Sequence, residues 1–488
     1  MNASTLLITT LSLPLFLVLL IVLFRKQPNI RETLSITFGI LVFIVNLLLL
    51  ESLWAGTAIE CHLFALFPGL TIAFKIEPLG MVFALVASAL WPVTTLYATG
   101  YMRAHHEPRQ TQFYCFFAIA IFSVLGIAFA GNLLTLFIFY ELLTLSTFPL
   151  VAHAGTAKAK RGARVYLGIL LLSSILFLLL AIISTWHFTG SLDFKNGGLF
   201  AQVSDEVVSV ILVLFVFGIG KAALMPLHSW LPAAMVAPTP VSALLHAVAV
   251  VKAGVFTILK VMVYVIGIER LANLPGTTFL LYLAGFSILV ASLVAIRKRN
   301  LKARLAWSTV SQLGYITMGA LLATPLGIIG STMHIAMHAF SKITLFFCAG
   351  AILVATHKTE IQDMQGLGKQ MPITMLAFGI ASLGIIGLPP AGGTWSKWLL
   401  LMATVETEHW LLMLLLMLSS LLSIGYLLPV SLRAFFPATA AVPLSPAATG
   451  SIDLAPKASL LAIVLTTLAC VGLFFFADAI YQLASKVV

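Results

Sequence analysis

Long apolar segments with almost no charge follow one another along this chain, and they constrain its fold more than any other feature. A helix needs about 20 apolar residues to cross the hydrocarbon core of a membrane. Charged residues make up 9% of the 488 residues and hydrophobic residues 61%, whereas soluble domains carry about 25% charged residues. The pattern predicts an all-α polytopic membrane protein. It excludes nucleic-acid binding, secreted disulfide scaffolds and cytosolic catalysis.

Charged residues and Pro or Gly breaks divide the apolar sequence into fourteen predicted transmembrane spans. The lengths of the runs match the length that a membrane-crossing helix needs. The spans, numbered 1 to 14 in chain order, cover approximately residues 4–24, 33–54, 78–101, 111–130, 132–152, 165–187, 206–226, 241–268, 277–296, 305–323, 326–355, 372–400, 410–432 and 458–480.

The lysines and arginines between the spans predict the orientation of the chain. Eighteen of them lie in loops after odd-numbered spans, and four lie in loops after even-numbered spans or in the C-terminal tail. Positive residues mark the cytoplasmic side of a membrane protein. We therefore expect a multi-pass protein of the cell (inner) membrane with both termini on the outer side.

Five of the 27 lysines and arginines lie inside predicted spans: Lys221, Lys252, Lys260, Lys342 and Lys397. A charge at the bilayer centre costs about 2.5–3.5 kcal/mol on insertion scales, so such residues usually face a polar interior and mark ion pathways. Lys260 lies nearer the end of its span, where its side chain could reach the membrane interface. The other four predict a proton pathway.

Glu141 is the one acidic residue at a comparably central position, in span 5. Glu51 and Asp478 fall near span ends, where an interfacial location is expected. A buried carboxylate needs a basic partner, and Lys221 of span 7 is the candidate. Opening such an ion pair would let a desolvated lysine release its proton.

Histidines extend this line of titratable residues. His334, His338 and Lys342 are spaced four residues apart and therefore share one helix face. Imidazole can hold or pass a proton near neutral pH. His246 and Lys252 are six residues apart and would join one path only if their helix is broken or if each contacts a different neighbouring helix. No acidic residue accompanies the histidine pair, so we expect no metal site.

Helix breakers stand beside two of the lysines. Pro226 follows Lys221, and Pro389 and Pro390 precede Lys397. A broken helix next to an intramembrane charge is typical of ion sites in transporters. Spans 7 and 12 are therefore predicted to be broken.

The two broken spans stand five positions apart, which suggests two inverted five-helix repeats. We predict that helices 1–3 occupy residues 1–110, the first repeat residues 111–268 and the second repeat residues 277–435. A loop and helix 14 would occupy residues 436–488. Lys221 and Lys397 would then be equivalent positions of the two repeats.

Motifs for cofactors and catalysis are missing from the sequence. We find no phosphate-binding loop, no dinucleotide fingerprint, no haem motif and no nucleophile elbow. The four cysteines lie far apart without zinc or iron–sulfur spacing. We expect no cofactor, so the driving energy must come from an ion gradient or a partner.

Four motifs resemble the antiporter-like, proton-conducting subunits shared by Mrp-type cation/proton antiporters, respiratory complex I and membrane-bound hydrogenases. They stand in the family's order across roughly residues 112–433. The motifs are KAALMPLHSWLPAAMVAPTPVSALLHAVAVVKAG (Lys221–Gly254), KARLAWSTVSQLGY (Lys302–Tyr315), HIAMHAFSKITLFFCAG (His334–Gly350) and GLPPAGGTWSK (Gly387–Lys397).

The resemblance implies fourteen transmembrane helices in two inverted five-helix repeats, and it implies roles for the buried residues. Glu141 would be the helix-five glutamate, Lys221 its ion-paired lysine and Lys397 the terminal helix-twelve lysine. The remaining relay residues would be His246 and Lys252 in helix 8 and His334 and His338 in helix 11. Two departures, Ala233 and Asn300, stand where the family often has Asp.

The sequence leaves three functions open. The first is a proton-translocating subunit of a multisubunit monovalent cation/proton antiporter, with sodium as the candidate cation. The second is the proton-pumping subunit of a redox complex such as complex I or a membrane-bound hydrogenase. The third is the membrane subunit of an energy-coupled inorganic-carbon uptake complex. Each predicts other membrane subunits, protons and the lipid bilayer as partners.

Overall fold

The apolar runs form helices because a backbone in lipid must satisfy its own hydrogen bonds. A computed structural model describes residues 3–67, 69–436 and 453–488, apart from the side chains of residues 245 and 246. Helical segments lie over all fourteen predicted spans. The α-helices are α1 Ala3–Leu23, α2 Pro28–Trp54, α3 Pro78–Ala104, α4 Gln110–Ala128, α5 Leu133–Val151, α6 Ala157–Ser173, α7 Leu179–Thr189, α8 Asp205–Gly218, α9 Trp230–Ala233, α10 Thr239–Ala243, α11 Val250–Val261, α12 Ile268–Asn273, α13 Pro275–Arg297, α14 Leu301–Leu321, α15 Pro325–Thr356, α16 Pro372–Ile386, α17 Gly393–Glu406, α18 Trp410–Phe435, α19 Lys457–Phe475 and α20 Ala477–Ser485.

Within the described ranges, ten helical segments are long and apolar enough to cross a membrane. One of them consists of α6 and α7 joined by a π-type turn, Ser174–Leu178. The remaining predicted spans are span 10, which is α14, and the interrupted spans 7, 8 and 12. Helices α3 and α15 are largely buried inside the protein, whereas α1, α2, α18 and α19 expose many large apolar side chains. Such exposed apolar faces suit a lipid environment, and the protein is a multi-pass membrane protein.

The all-α fold is confirmed, and a short β-hairpin joins α2 to α3. Strands β1 (Glu60–Phe67) and β2 (Leu70–Lys75) pair antiparallel, with Glu60 opposite Lys75. The sequence does contain a turn signal here, since Pro68 and Gly69 separate the two runs. The hairpin lies between spans 2 and 3 and leaves the helical architecture intact.

Spans 7 and 12 are broken where the sequence predicts. In span 7, α8 ends at Gly218 and is followed by a 3-10 turn, Gly220–Ala222, before the short α9. In span 12, α16 ends at Ile386 and α17 begins at Gly393, with Gly387 at a φ of 93° between them. In span 12, Pro389 and Pro390 cannot donate the backbone hydrogen bonds that would continue α16.

Span 8 is interrupted as well. A π-type turn, Leu244–Val248, separates α10 from α11, and a second π-type turn, Met262–Ile266, follows α11. His246 lies within the first turn and Lys252 lies beyond it. The helix is therefore interrupted between them, which is one of the two conditions under which both could serve one path. π-type turns occur frequently at functional sites.

The division into regions 1–110, 111–268, 277–435 and 436–488 stays a prediction. Residues 437–452, which form most of the predicted loop before helix 14, lie outside the described residues.

Gly254 allows α11 to approach the break in span 7. A Cβ atom at this position would lie 2.3 Å from both the backbone carbon of Lys221 and the nitrogen of Ala222. We expect Gly254→Ala to lower stability by about 1–3 kcal/mol, because backbone must move to admit the methyl group. The unfolding temperature in detergent measures the effect. Gly168→Ala, with no heavy atom within 4 Å of the new Cβ, is the control, and an equal effect at both positions would contradict the close-approach explanation.

Candidate functional site

Four of the lysines that the sequence singled out lie inside the protein. Lys221, Lys252 and Lys342 are 0% exposed, and Lys397 is 5% exposed. They sit at the break of span 7, on α11, on α15 and on α17 respectively. Each ammonium group has polar partners supplied by neighbouring helices, as an intramembrane charge requires.

Lys221 occupies the 3-10 turn in the break of span 7. Its Nζ donates to the carbonyl oxygen of Tyr140 at 2.8 Å and to the Oγ1 of Thr144 at 2.6 Å. The same atom lies 3.2 Å from the centre of the Tyr140 ring. A carbonyl, a hydroxyl and an aromatic face thus solvate this lysine.

The predicted contact between Glu141 and Lys221 does not form. Within the part of the chain that the structure describes, no ion pair within 4.0 Å joins them. Both carboxylate oxygens of Glu141 are buried without a hydrogen-bond partner in that same part. Glu141 and Tyr140 are consecutive on α5, so their side chains point to different sides of the helix. Lys221 is thus bonded to the residue that precedes Glu141 and not to the carboxylate itself.

Lys252 and the two histidines of α15 form the centre of the site. Lys252 Nζ lies 2.6 Å from His338 Nδ1. The rings of His338 and His334 stack with centroids 5.7 Å apart and an interplanar angle of 8°. His334 bonds Ser396 Oγ at 2.9 Å and Gln312 Oε1 at 3.1 Å.

The predicted role of His246 concerns a side chain outside the described residues. Its backbone lies in the π-type turn before α11.

Lys342 and Lys397 are held by hydroxyl groups and carbonyl oxygens. Lys342 Nζ donates to Ser308 Oγ at 2.7 Å and to the carbonyl of Leu305 at 3.2 Å. Lys397 Nζ donates to Ser420 Oγ at 3.0 Å and to the carbonyl of Ile386 at 3.3 Å. The Ile386 carbonyl is free to accept because α16 ends at that residue.

Lys260 does not reach the membrane interface, contrary to the expectation from its position in span 8. Its side chain is 0% exposed, and its Nζ lies 3.2 Å from Glu77 Oε2. It also donates to the carbonyl of Ala130 at 2.7 Å. Glu77, which sequence reasoning missed, stands immediately before Pro78 at the start of α3. The only sequence signal was an acid beside a proline at a span boundary.

A second, exposed ion pair lies on the hairpin. Lys75 Nζ and Glu60 Oε1 are 2.9 Å apart, and their side chains are 41% and 46% exposed. The hydrogen bond to Glu60 raises the pKa of Lys75 above its ordinary value, against the lowering by partial burial. Exposed pairs of this kind contribute about 0–1 kcal/mol.

Lys260→Met is expected to destabilise the protein by about 3–5 kcal/mol, because it leaves Glu77 buried and unpaired. Thermal unfolding in detergent measures the loss, and Lys75→Met, which opens the exposed pair, is the matched control. Glu77→Gln combined with Lys260→Met should recover part of the stability. Equal effects of Lys260→Met and Lys75→Met would contradict a buried structural pair.

Comparison with known proteins places this arrangement in a family. Residues 130–423, which include every predicted relay residue, match the family described as NADH:quinone oxidoreductase/Mrp antiporter, transmembrane. The chain belongs to this family. The resemblance drawn from the four motifs is thereby confirmed.

Relatives in the family come from two kinds of complex. The chain is 33% identical over 368 residues to NADH-quinone oxidoreductase subunit N of Desulforudis audaxviator, covering 75% of this chain and 73% of that protein. It is 34% identical over 346 residues to a subunit of the probable K(+)/H(+) antiporter of Rhizobium meliloti, covering 70% of this chain and 34% of that protein. The match therefore spans about a third of the length of that antiporter protein.

A solved structure has the same fold. A chain in the structure of the Mrp complex from Dietzia sp. matches with a TM-score of 0.86 and 19% sequence identity. The match covers 100% of this chain and 97% of that one. The predicted membrane architecture is confirmed, whereas the roles of individual residues stay predictions.

Proposed function

We propose that this chain translocates protons as an antiporter-like subunit of a multisubunit monovalent cation/proton antiporter in the cell membrane. The observation that carries the proposal is the series of buried amines and imidazoles on broken or interrupted spans. The contact between Lys252 and His338 links span 8 directly to span 11. Buried ionisable groups of this kind mark ion pathways and proton relays.

The chemistry of the site suits proton transfer. A buried lysine can lose its proton because burial disfavours the charged amine. At Lys221 the carbonyl of Tyr140 and the hydroxyl of Thr144 hold the ammonium group. A negative charge on the nearby Glu141 favours the protonated form of this lysine. A change in the protonation or position of Glu141 would therefore change the affinity of Lys221 for its proton. The Lys252–His338 contact offers the next acceptor.

A second candidate is the proton-translocating subunit of a redox complex. The similarity to NADH-quinone oxidoreductase subunit N supports it, since the match covers 73% of that relative. In that case a redox partner would supply the driving energy to the same buried residues. The third function, inorganic-carbon uptake, stays a prediction from the sequence.

The partners and the orientation complete the proposal. Other membrane subunits are expected because the family's relatives include subunits of larger complexes. The distribution of lysine and arginine supports both termini on the outer side. Labelling of a cysteine introduced next to Val488 by a membrane-impermeant reagent in intact cells tests the orientation.

Transport by the purified complex tests the proposed function. The chain is isolated from native membranes with its partners, identified by mass spectrometry and reconstituted into vesicles with an imposed pH gradient. Dissipation of the gradient on addition of sodium or potassium, without a redox substrate, is the expected result. A co-purifying set of iron–sulfur or flavin proteins with transport that requires an electron donor would overturn the antiporter and favour the second candidate.

A further inference from the structure

Two neighbouring helices carry matching rows of hydroxyl groups. Ser308 and Tyr315 lie on one face of α14, seven residues apart. Ser420, Ser423 and Tyr426 follow one another along α18 at spacings of three, so each is the surface neighbour of the next. Residues three, four or seven apart share a helix face. We call these five residues the hydroxyl seam, and none of them was identified from the sequence as part of a pathway.

The seam begins at Lys342. The Nζ of this lysine donates to Ser308 Oγ at 2.7 Å. The hydroxyl of Tyr426 lies 3.0 Å from Ser308 Oγ and 2.9 Å from Ser423 Oγ. All four residues are buried. A continuous row of hydrogen bonds therefore runs from an amine through three hydroxyls.

The seam ends at Lys397. Ser420 Oγ accepts from Lys397 Nζ at 3.0 Å and lies 3.3 Å from the hydroxyl of Tyr315. The ring of Tyr315 also faces this lysine, with Nζ 4.5 Å from its centre. The second amine is thus tied to hydroxyls of the same two helices.

A single turn of α18 separates the two halves of the seam. Ser423 and Ser420 are three residues apart and are neighbours on the helix surface. The Ser423 hydroxyl donates to the Ser419 carbonyl at 2.9 Å, so it must turn about its C–O bond to donate across this gap. No hydrogen bond joins these two hydroxyls within the part of the chain that the structure describes, so a relay between them requires one bridging water molecule.

The histidines of α15 do not provide an equivalent row between the same lysines. The two rings are stacked almost parallel, so the N–H bonds, which lie in the ring planes, do not point from one ring to the other. Among the described residues, His338 Nε2 has no hydrogen-bond partner. His334 bonds Gln312 and Ser396 and makes no bond to either lysine.

We propose that protons pass between Lys342 and Lys397 along the hydroxyl seam, while the stacked histidines serve the Lys252 end of the site. This inference rests on the proposed function. Each hydroxyl both donates and accepts and can turn about its C–O bond. Lys342 gives a proton to Ser308 as Ser308 gives its own to Tyr426. Tyr426 passes one to Ser423, and the water relays it to Ser420. Lys397 accepts the proton, and every hydroxyl ends neutral.

Removal of one hydroxyl from the seam tests the inference in the reconstituted complex. Tyr426→Phe is expected to lower proton flux by at least about tenfold, since a positioned relay group contributes about 10²–10⁴-fold to proton transfer. The matched control is Tyr97→Phe, which removes a buried hydroxyl bonded to the Phe347 carbonyl at 2.9 Å outside the seam. That control should keep the wild-type flux.

A pair of isosteric variants separates the hydroxyl from packing. Ser423→Thr keeps the hydroxyl and Ser423→Val removes it with the same shape, so flux should persist in the first and fall in the second. Ser382→Ala controls for loss of a buried serine whose hydroxyl donates to a carbonyl four residues earlier, as that of Ser423 does. Wild-type flux in both Tyr426→Phe and Ser423→Val would overturn the seam. An absence of flux in the wild-type complex would instead overturn the proposed function.

Discussion

Glu141→Gln is expected to reduce proton transport by at least about a hundredfold, within the range by which a single positioned proton-transfer group contributes. The substitution keeps the shape of the side chain and removes its charge. Both carboxylate oxygens are buried and lack a hydrogen-bond partner among the described residues, so the amide loses no bond seen there. What disappears is a buried carboxylate charge on the residue next to Tyr140, whose carbonyl holds Lys221. The initial rate of pH-gradient dissipation in reconstituted vesicles measures the effect.

Two further variants, one control and one comparison, are needed to interpret that result. Glu51→Gln, which neutralises an exposed acid near the end of α2, should transport like the wild type. Lys221→Met should fail as Glu141→Gln does, and the double variant should be no worse than either, because residues that act on one step are not additive. Wild-type transport by Glu141→Gln in an assembled complex would show that Glu141 does not govern the protonation of Lys221.

Lys252→Met is expected to stop transport with little loss of stability. The substitution keeps the length of the apolar stem but removes the Nζ that lies 2.6 Å from His338 Nδ1. That contact is the direct link between α11 and the histidines of α15. Without it, protons reaching Lys221 have no amine through which to pass to the second half of the protein. Vesicle transport and the unfolding temperature are measured on the same preparation.

Lys260→Met is the matched control for this variant. Lys260 lies two turns further along α11, is equally buried and receives the same substitution. Its contacts are to Glu77 and the Ala130 carbonyl, so its loss should lower stability and leave transport per folded molecule unchanged. Normal transport by Lys252→Met would contradict the central relay. A loss of stability without a loss of transport in both variants would contradict it as well.

The location of the buried charges could be predicted from the sequence because it follows from single segments. Lys252 and Lys342 stood out since a lysine inside an apolar run opposes membrane insertion wherever its neighbours lie. The break at Lys221 could be predicted since proline cannot donate a backbone hydrogen bond. Each inference used residues within about one helix length, and the structure places these side chains inside the protein.

The partners of the same charges could not be predicted, because they depend on the rotation and depth at which helices meet. Glu141 seemed the natural partner of Lys221, but the helix rotation presents the Tyr140 carbonyl and Thr144 instead. Lys260 seemed interfacial, but the start of α3 brings Glu77 to it from 183 positions earlier in the chain.

The hydroxyl seam is the clearest case of what only tertiary structure decides. Ser308 and Tyr426 are 118 residues apart, and a serine or tyrosine inside an apolar helix is too common to indicate a pathway. The sequence by itself determined that the chain crosses the membrane many times, carries buried lysines and breaks two of its helices. Helix packing decided which groups meet, because a hydrogen bond requires two atoms within about 3 Å and hydropathy carries no such distance.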